Sequence, residues 1–417
     1  MGEFTIFTEY NMNMESVKIG IIKEGKVPID RRVPLTPSQC AEILANYDNV
    51  SIKCQRSDIR CFPDEEYAKA GVELVDDVSD CAIILGVKEV PINMLVNGKT
   101  HFFFSHTIKK QDYNRGLLRS ILEKQIRLID WECLTNKEGQ RLIAFGRYAG
   151  IVGAYNGILT FGKRYNLFHL RPAHECFDMA DMQSEYAKVK LPAIKIALTG
   201  GGRVSKGSME VLNGMGIRKV SPAEFVSEYF EGPVYTQLNT RDYNQPADGT
   251  EFDRESFYAD PEGYESSFHQ YAAKADLLIA GAFWDPKAPV LFTRHEIMER
   301  DFKIRVIADI TCDIEGSIPS TKQPSTIDDP IYDYNPSNDK VEASFSDEGN
   351  ITVMAVDNLP CELPRNASED FGKEFLRHIL PNLIGEDTDQ IIERATITHA
   401  GKLMPKYDYL QDYVDGR

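Results

Sequence analysis

The chain is predicted to fold as an α/β protein with parallel sheets in two domains, and three observations predict it. Short apolar strand patterns alternate with amphipathic helix patterns up to Asp130, the mark of parallel strands covered by helices. Tyr148 to Arg164 is apolar on nearly every face and rich in glycine, consistent with a helix buried between two domains, and the boundary falls just before it. After it, Ile194, Ile196 and Leu198 alternate into Thr199-Gly-Gly-Gly-Arg-Val-Ser-Lys-Gly207. Met209, Val211, Leu212 and Met215 follow at helical spacing, which reads as strand, glycine loop, helix. With 417 residues, 42% of them hydrophobic and 10% aromatic, the chain is long enough for about two to three domains.

Taken in order, Val17 to Ile22 is the first strand, and a charged loop from Lys23 to Arg32 follows it. Thr36 then caps a helix through Leu44, with Pro37 at its first position, where a missing N–H costs nothing. Val50 to Cys54, Cys81 to Val87, Thr100 to Phe104 and Arg127 to Asp130 read as strands, and Asp64 to Ala70 and Gln111 to Lys124 as helices. Pro172 to Val189 is polar and irregular. Beyond the glycine loop, Ile217 to Val220, Leu277 to Ala280 and Arg305 to Asp309 read as strands of the second domain. Glu231 to Tyr271 is rich in Asp, Asn, Pro, Tyr and Glu and reads as an insertion or extended surface loop. Ile351 to Val356 is the last strand, and Ser368 to Ile384 is an amphipathic helix with Phe371, Phe375, Ile379 and Leu383 on one face.

The net charge of −17 argues against nucleic acid or an anionic membrane as a partner, since neither offers positive charge. No apolar run reaches the roughly 20 residues that span a bilayer. Met1 to Glu15 carries acidic residues and no apolar core, so it reads as an extension before the first strand, and the expected location is the cytoplasm. The eight cysteines form no C-x-x-C pair and read as reduced thiols; no metal site is expected.

In the glycine loop, Gly200 would allow the tight turn, Gly202 would let backbone approach a pyrophosphate, and Gly207 would let helix pack on strand, while the helix N-terminus supplies N–H donors. The spacing is G-x-G-x-x-x-x-G rather than G-x-G-x-x-G, so a glycine-rich turn without a ligand is the plain alternative. Lys88 and Glu89 end one apolar strand and His106 ends another, where active groups of open α/β sheets gather. A lysine of lowered pKa with a histidine titrating near neutrality suits proton transfer at an amine. Alone, a strand-end lysine is a solvated charge and a lone histidine a structural group. Arg31, Arg32 and Arg141 suit a multiply acidic substrate, or else pair locally with Asp30 or Glu138. Asp309 closes a strand, where an acid could reach a nicotinamide or substrate. No G-x-S-x-G elbow is present.

Assembled, these segments resemble the alanine dehydrogenase and transhydrogenase N-terminal superfamily. Within it they resemble the lysine-forming saccharopine dehydrogenases and lysine–2-oxoglutarate reductase domains. The resemblance covers nearly the whole chain and rests on Arg31-Arg-Val-Pro-Leu-Thr-Pro37, Gly86-Val-Lys-Glu89, Ser105-His-Thr-Ile-Lys109, Leu128-Ile-Asp-Trp-Glu132, Ala144-Phe-Gly-Arg-Tyr-Ala-Gly150, the glycine loop, Ala308-Asp309 and Val356-Asp-Asn-Leu-Pro-Cys-Glu-Leu-Pro-Arg-Asn-Ala-Ser368. It implies two Rossmann-like domains, residues 1–145 with 364–417 for substrate and catalysis and 146–363 for NAD(P), with an active-site cleft between them. Lys88 and His106 match the family's acid/base pair, and Glu89 and Glu132 match carboxylates that tune it, Glu132 being counted with the catalytic groups. Arg32 and Arg141 match arginines that hold substrate carboxylates, with Glu89 and Lys109 beside them. Gly200, Gly202, Arg203, Val204, Gly207, Asp309, Asn358 and Leu359 would hold the cofactor.

The implied reaction converts saccharopine, NAD(P)+ and water reversibly to lysine, 2-oxoglutarate and NAD(P)H. The implied partners are these small molecules, and the chain would be a monomer or a homo-oligomer. The alternatives are alanine dehydrogenase or another amino-acid dehydrogenase, and a non-catalytic nucleotide-sensing module. One family feature is not evident. The acid expected about 20 residues beyond the first glycine, on the ribose, falls in Ile217-Arg-Lys-Val-Ser-Pro-Ala-Glu224, where Glu224 is poorly placed. Arg218, Lys219 and Ser221 would accept a 2′-phosphate, so NAD and NADP both stay open.

Overall fold

The computed structural model describes Ser16–Arg417, so the expected extension Met1 to Glu15 lies outside the described residues. The chain divides into two compact units, one running through Ala144 together with Ser368–Arg417, the other Phe145–Ala367.

The first unit is built on strands β1 (Val17–Ile21), β2 (Val50–Gln55), β3 (Glu73–Val75), β4 (Ile83–Leu85), β5 (Thr100–Phe103) and β6 (Arg127–Asp130), all parallel where they pair. The sheet order is β18-β17-β6-β5-β4-β1-β2-β3. β4 is buried along its whole length, as expected of a central parallel strand covered on both faces. Helix α1 (Pro37–Asn46) begins at Thr36 as expected and runs two residues past Leu44; Thr36 and Gln39 cap each other's backbone N–H groups. Helix α2 (Asp64–Lys69) follows. The expected helix Gln111 to Lys124 is helical only as α3 (Arg115–Glu123), after a 3₁₀ turn at Asp112–Asn114.

The sequence reading missed the two antiparallel edge strands. Strands β17 (Thr396–His399) and β18 (Lys402–Leu403) add to β6. Their signal is weak because β17 is short and half threonine, and Thr398 is held by tertiary bonds, donating to Ile126 O and accepting from Leu128 N–H. The helix expected over Ser368 to Ile384 is three pieces: Pro364–Glu374, a π turn at Phe375–Ile379, and Leu380–Ile384. Pro381 has no N–H to give, and the ladder widens into the π turn just before it.

The second unit carries β7 (Lys195–Thr199), β8 (Arg218–Val220), β9 (Val234–Leu238), β12 (Leu277–Ala280), β13 (Val306–Asp309), β14 (Ile331–Asn335), β15 (Lys340–Glu342) and β16 (Ile351–Met354), with β10 (Asn244–Pro246) and β11 (Tyr264–Ser266) forming a separate antiparallel hairpin. The large sheet runs β15-β14-β16-β13-β12-β7-β9-β8, parallel except for β14 and β15. Segment Glu231 to Tyr271 is therefore not an extended surface loop. Val234–Leu238 lies inside the sheet between β7 and β8, and Tyr243, Phe257, Phe268 and Tyr271 are buried. Thr236 and Gln237 hid the strand by breaking its apolar run, yet both are satisfied: Thr236 Oγ1 donates to Val220 O, and Gln237 Nε2 to Gly200 O at 3.0 Å. Pro172 to Val189 likewise contains α5 (Met179–Ser184), capped by Asp178.

Helix α4 (Gly146–Arg164) is buried without a break from Gly150 to Gly162 and packs on α6 (Arg203–Gly214). Here the role expected of Gly207 is corrected, because it allows helix on helix rather than helix on strand. A Cβ at Gly207 would stand 2.0 Å from Arg147 O, and one at Gly150 would stand 1.8 Å from Val204 O. None of the eight cysteines is joined in a disulfide. Among the described residues, no helix is long and apolar enough to cross a membrane.

Candidate functional site

In the first unit, β4 and β5 are neighbours in parallel register, so Lys88 and His106, which follow their carboxyl ends, leave the same edge of the sheet. Lys88 is half-buried, and its pKa is lowered by burial first and then by the charge of Arg32, against Asp30 and Glu89, which raise it. His106 has φ +53°, and its Nδ1 lies 2.7 Å from Glu89 Oε1, while Glu89 Oε2 is 2.6 Å from Lys26 Nζ. Burial alone would raise Glu89; the hydrogen bonds from His106 and Lys26 outweigh it and bring the carboxyl down to about 2.

Arg141 donates to Glu132 Oε1 at 2.6 Å, and Lys109 Nζ stands 3.9 Å from Glu132 Oε2, so three of the expected residues meet in one group. Arg32 pairs bidentately with Asp30, and both are buried. Burial would raise Asp30, but the charge and hydrogen bonds of Arg32 hold it well below the usual carboxylate range. The local pairing expected of Arg32 is thus present, and Glu132 rather than Glu138 partners Arg141.

In the second unit, Gly200 takes φ +101° at the end of β7, and Gly202 caps α6. Gly200, Gly202, Arg203 and Val204 line a cavity of about 770 Å³ with Asn239, Arg241, Phe252, Arg254, Tyr258 and Phe283. Its lining holds three arginines and no acid. Gly207 lies one turn down α6 against α4, outside that lining. Asp309 is fully buried and turns on its own loop: Oδ1 accepts from Thr311 N–H, Thr311 Oγ1 and Cys312 N–H, and Oδ2 from Thr321 Oγ1. Burial raises its pKa. Leu359 is a core residue, and Asn358 precedes the 3₁₀ turn Leu359–Glu362.

The expected ribose window, Ile217 to Glu224, runs along β8 and just past it. The strand after α6, β8, lies at the sheet edge, and the later β9 takes the place beside β7. The corresponding strand end is Leu238 to Arg241. There Asp242 accepts Asn239 N–H, and after the neighbouring β8 Glu224 accepts Ser221 N–H, both at 2.7 Å; Lys219 and Arg241 line a second, smaller pocket with these acids.

Two further carboxylates escaped the sequence reading. Glu24 accepts from Val87 N–H and Lys88 N–H, at 2.7 and 2.9 Å. Buried Asp130 accepts from Ser105 N–H at 2.8 Å and Glu132 N–H at 2.7 Å, joining the turns that carry His106 and Glu132. Strand-end position was the available signal for Asp130; Glu24, in a charged loop, had none. The surface group His269, Glu299 and Asp301 also comes together, with Nε2 of His269 3.0 Å from Asp301.

Residues 20–152 match the family described as Alanine dehydrogenase/PNT, N-terminal domain, and residues 182–406 the one described as Alanine dehydrogenase/PNT, C-terminal domain. The chain belongs to the alanine dehydrogenase/PNT family. It is 31% identical to the mitochondrial alpha-aminoadipic semialdehyde synthase of Mus musculus, over 93% of this chain and 47% of that protein. It is 25% identical to the saccharopine dehydrogenase [NAD(+), L-lysine-forming] of Yarrowia lipolytica, over 91% of this chain and 95% of that one. The chain thus spans about half the length of the semialdehyde synthase it matches. A solved L-alanine dehydrogenase shares its fold, with a TM-score of 0.63 at 16% identity over 95% of this chain and all of that one.

Proposed function

We propose that the protein is a nicotinamide-dependent oxidoreductase of a secondary amine, interconverting saccharopine, NAD(P)+ and water with L-lysine, 2-oxoglutarate and NAD(P)H. The observation that carries this reading is the placement of Lys88, with its lowered pKa, and the Glu89-bound His106 at the ends of adjacent parallel strands. Similarity to saccharopine dehydrogenase along nearly the full length of both chains supports the substrate. Residues 1–145 with 364–417 serve substrate and catalysis, and 146–363 serve the cofactor.

Held beside the glycine loop, a nicotinamide cofactor would supply the acceptor for the hydride that leaves the carbon beside the secondary amine, so that the substrate is left with a C=N bond. Lys88 as the free amine first takes the proton that keeps the substrate nitrogen charged. His106 then removes a proton from the water that adds to the C=N carbon. As the resulting carbinolamine collapses, a proton returns to nitrogen, the hydroxyl loses its own, and lysine leaves from 2-oxoglutarate. Glu89 and Glu132 set the charge around the pair, and Arg32, Arg141 and Lys109 hold carboxylates. In a chain of net charge −17, a cavity with three arginines and no acid beside the glycine loop fits an anionic dinucleotide. Gly200, Gly202, Arg203 and Val204 cradle its phosphates, Gly207 keeps α6 in place, and Asp309, Asn358 and Leu359 form the nicotinamide end.

Both acids near the end of β9 are occupied by backbone N–H groups, which supports a 2′-phosphate on Arg241 and Lys219 and hence use of NADP(H) as well as NAD(H). Arg241→Ala should raise the KM for NADPH about tenfold, a loss of one charged contact, and leave that for NADH unchanged; equal effects on both would remove Arg241 from this role. Rates with lysine plus 2-oxoglutarate, set against ammonia plus pyruvate, test the reaction itself. Turnover only with the second pair would make the protein an alanine dehydrogenase, and dinucleotide binding without turnover would make it a sensor. Cysteines left as thiols suit a reducing compartment, and we place the protein in the cytoplasm, as a monomer or homo-oligomer without nucleic-acid or membrane partners.

A further inference from the structure

We propose that Glu24 is a positioning residue for the amine chemistry: its carboxylate clamps the backbone turn after β4 and so fixes the direction in which Lys88 and Glu89 leave the sheet. This rests on the proposed role of Lys88. The ladder between β1 and β4 ends with Ile22 N–H donating to Leu85 O. Beyond that point Gly86 N–H turns to Phe102 O on β5, and the N–H groups of Val87 and Lys88 that follow are taken by the two oxygens of Glu24. A side chain thus stands in for a missing strand, two bonds to one rigid carboxylate.

Gly86 makes room for it, since a Cβ there would meet Ile22 Cγ2 at 3.1 Å and Glu24 Oε1 at 3.6 Å. On the other side Gly86 O accepts from Trp131 Nε1 at 2.8 Å, so the turn is held from both faces. The groups charged or titrating around Glu24 are Asp30 and Arg32 on its own loop, Lys26 beside it, and Lys88 and Glu89 on the turn. Burial pushes the carboxyl up to about 7, against the two N–H donors, which lower it; Asp30 raises it further and Arg32 lowers it. Protonation places O–H on one oxygen, a poor acceptor, and weakens one of the two bonds.

Hydrogen exchange on the unaltered protein and on Glu24→Ala tests this without reference to any substrate. At one pH and after correction for intrinsic rates, the peptide carrying Val87 and Lys88 should lose protection in the variant, while the β5 peptide keeps its own. Equal protection of that peptide in the two proteins overturns the clamp. Glu24→Gln, which keeps one acceptor oxygen, should lower kcat for lysine plus 2-oxoglutarate about 10- to 100-fold, leave dinucleotide affinity unchanged, and remove the acidic limb near neutrality from the pH profile. Wild-type kcat and pH profile in that variant also overturn it. If the unaltered enzyme has no turnover with this pair, the reading of the reaction falls, and the exchange result still decides on Glu24.

Discussion

Replacing Gly150 by alanine should destabilise the second unit by about 3 kcal/mol and weaken dinucleotide binding with it. A Cβ at Gly150 would lie 1.8 Å from Val204 O and 2.9 Å from Ser208 N, and one at Gly207 would lie 2.0 Å from Arg147 O. These are main-chain atoms with no rotamer to change, so α4 and α6 must part by more than about 1 Å to restore ordinary contact. Overpacking costs about 1 to 3 kcal/mol, and a rigid helix crossing belongs at the upper end. Ser208 Oγ, which bonds Gly150 O across the crossing at 3.1 Å, would be stretched as well, for about 1 kcal/mol more. Because α6 starts directly after the glycine loop, its displacement moves the N–H groups of its first turn, which belong to the proposed dinucleotide site. The two alanines should not add: once the helices have parted for one Cβ, the second finds room, and the double variant should cost at least about 1 kcal/mol less than the sum. Urea unfolding of the two single variants and the double one, with dinucleotide titration alongside, measures this. Single costs below about 1 kcal/mol, or strict additivity, would refute the close crossing as the reason for these glycines.

Lys88→Met should lower turnover by about 10²- to 10⁴-fold with dinucleotide affinity intact; full activity would remove Lys88 from the mechanism. Glu89 has its folded pKa depressed from 4.5 to about 2, so the stability it contributes is present above its unfolded value and is lost as pH falls toward the folded one. The melting-temperature difference between the unaltered protein and Glu89→Gln should accordingly be steady from about pH 6 to 8 and shrink between about pH 5 and 3. A difference that grows with acid would show that the Lys26 and His106 contacts do not hold Glu89 ionised.

The parts of the fold legible in the sequence were those where one local pattern sufficed. Val17 to Ile21, Leu277 to Ala280 and the β7–α6 unit announce themselves by apolar alternation and glycine. The strand ends bearing Lys88 and His106 were visible because an apolar run stops abruptly in polar residues. What stayed hidden depends on partners far along the chain. Val234–Leu238 reads as polar until Val220 O and Gly200 O are brought beside Thr236 and Gln237. Chain order and sheet order differ at β8 and β9, so a spacing counted from the glycines ends on the edge strand β8 and not on β9, the neighbour of β7. Gly207 was credited with the wrong neighbour, since Arg147 lies 60 residues earlier. Glu24 acts on the backbone of residues 63 and 64 positions away and carries no motif of its own.

The antiparallel edge made by β17 bears on the order in which a ribosome delivers the molecule. Residues 145–367 are continuous and can fold as they emerge, whereas the sheet that carries Lys88 and His106 must wait for residues 368–417. Until those residues have been made, Trp131 lacks Phe371 and Phe375, whose rings lie 5.1 and 6.0 Å from its own, and its indole is the group that holds Gly86 from below. The turn that carries Lys88 therefore gains its last supports only after residues 145–367 have emerged.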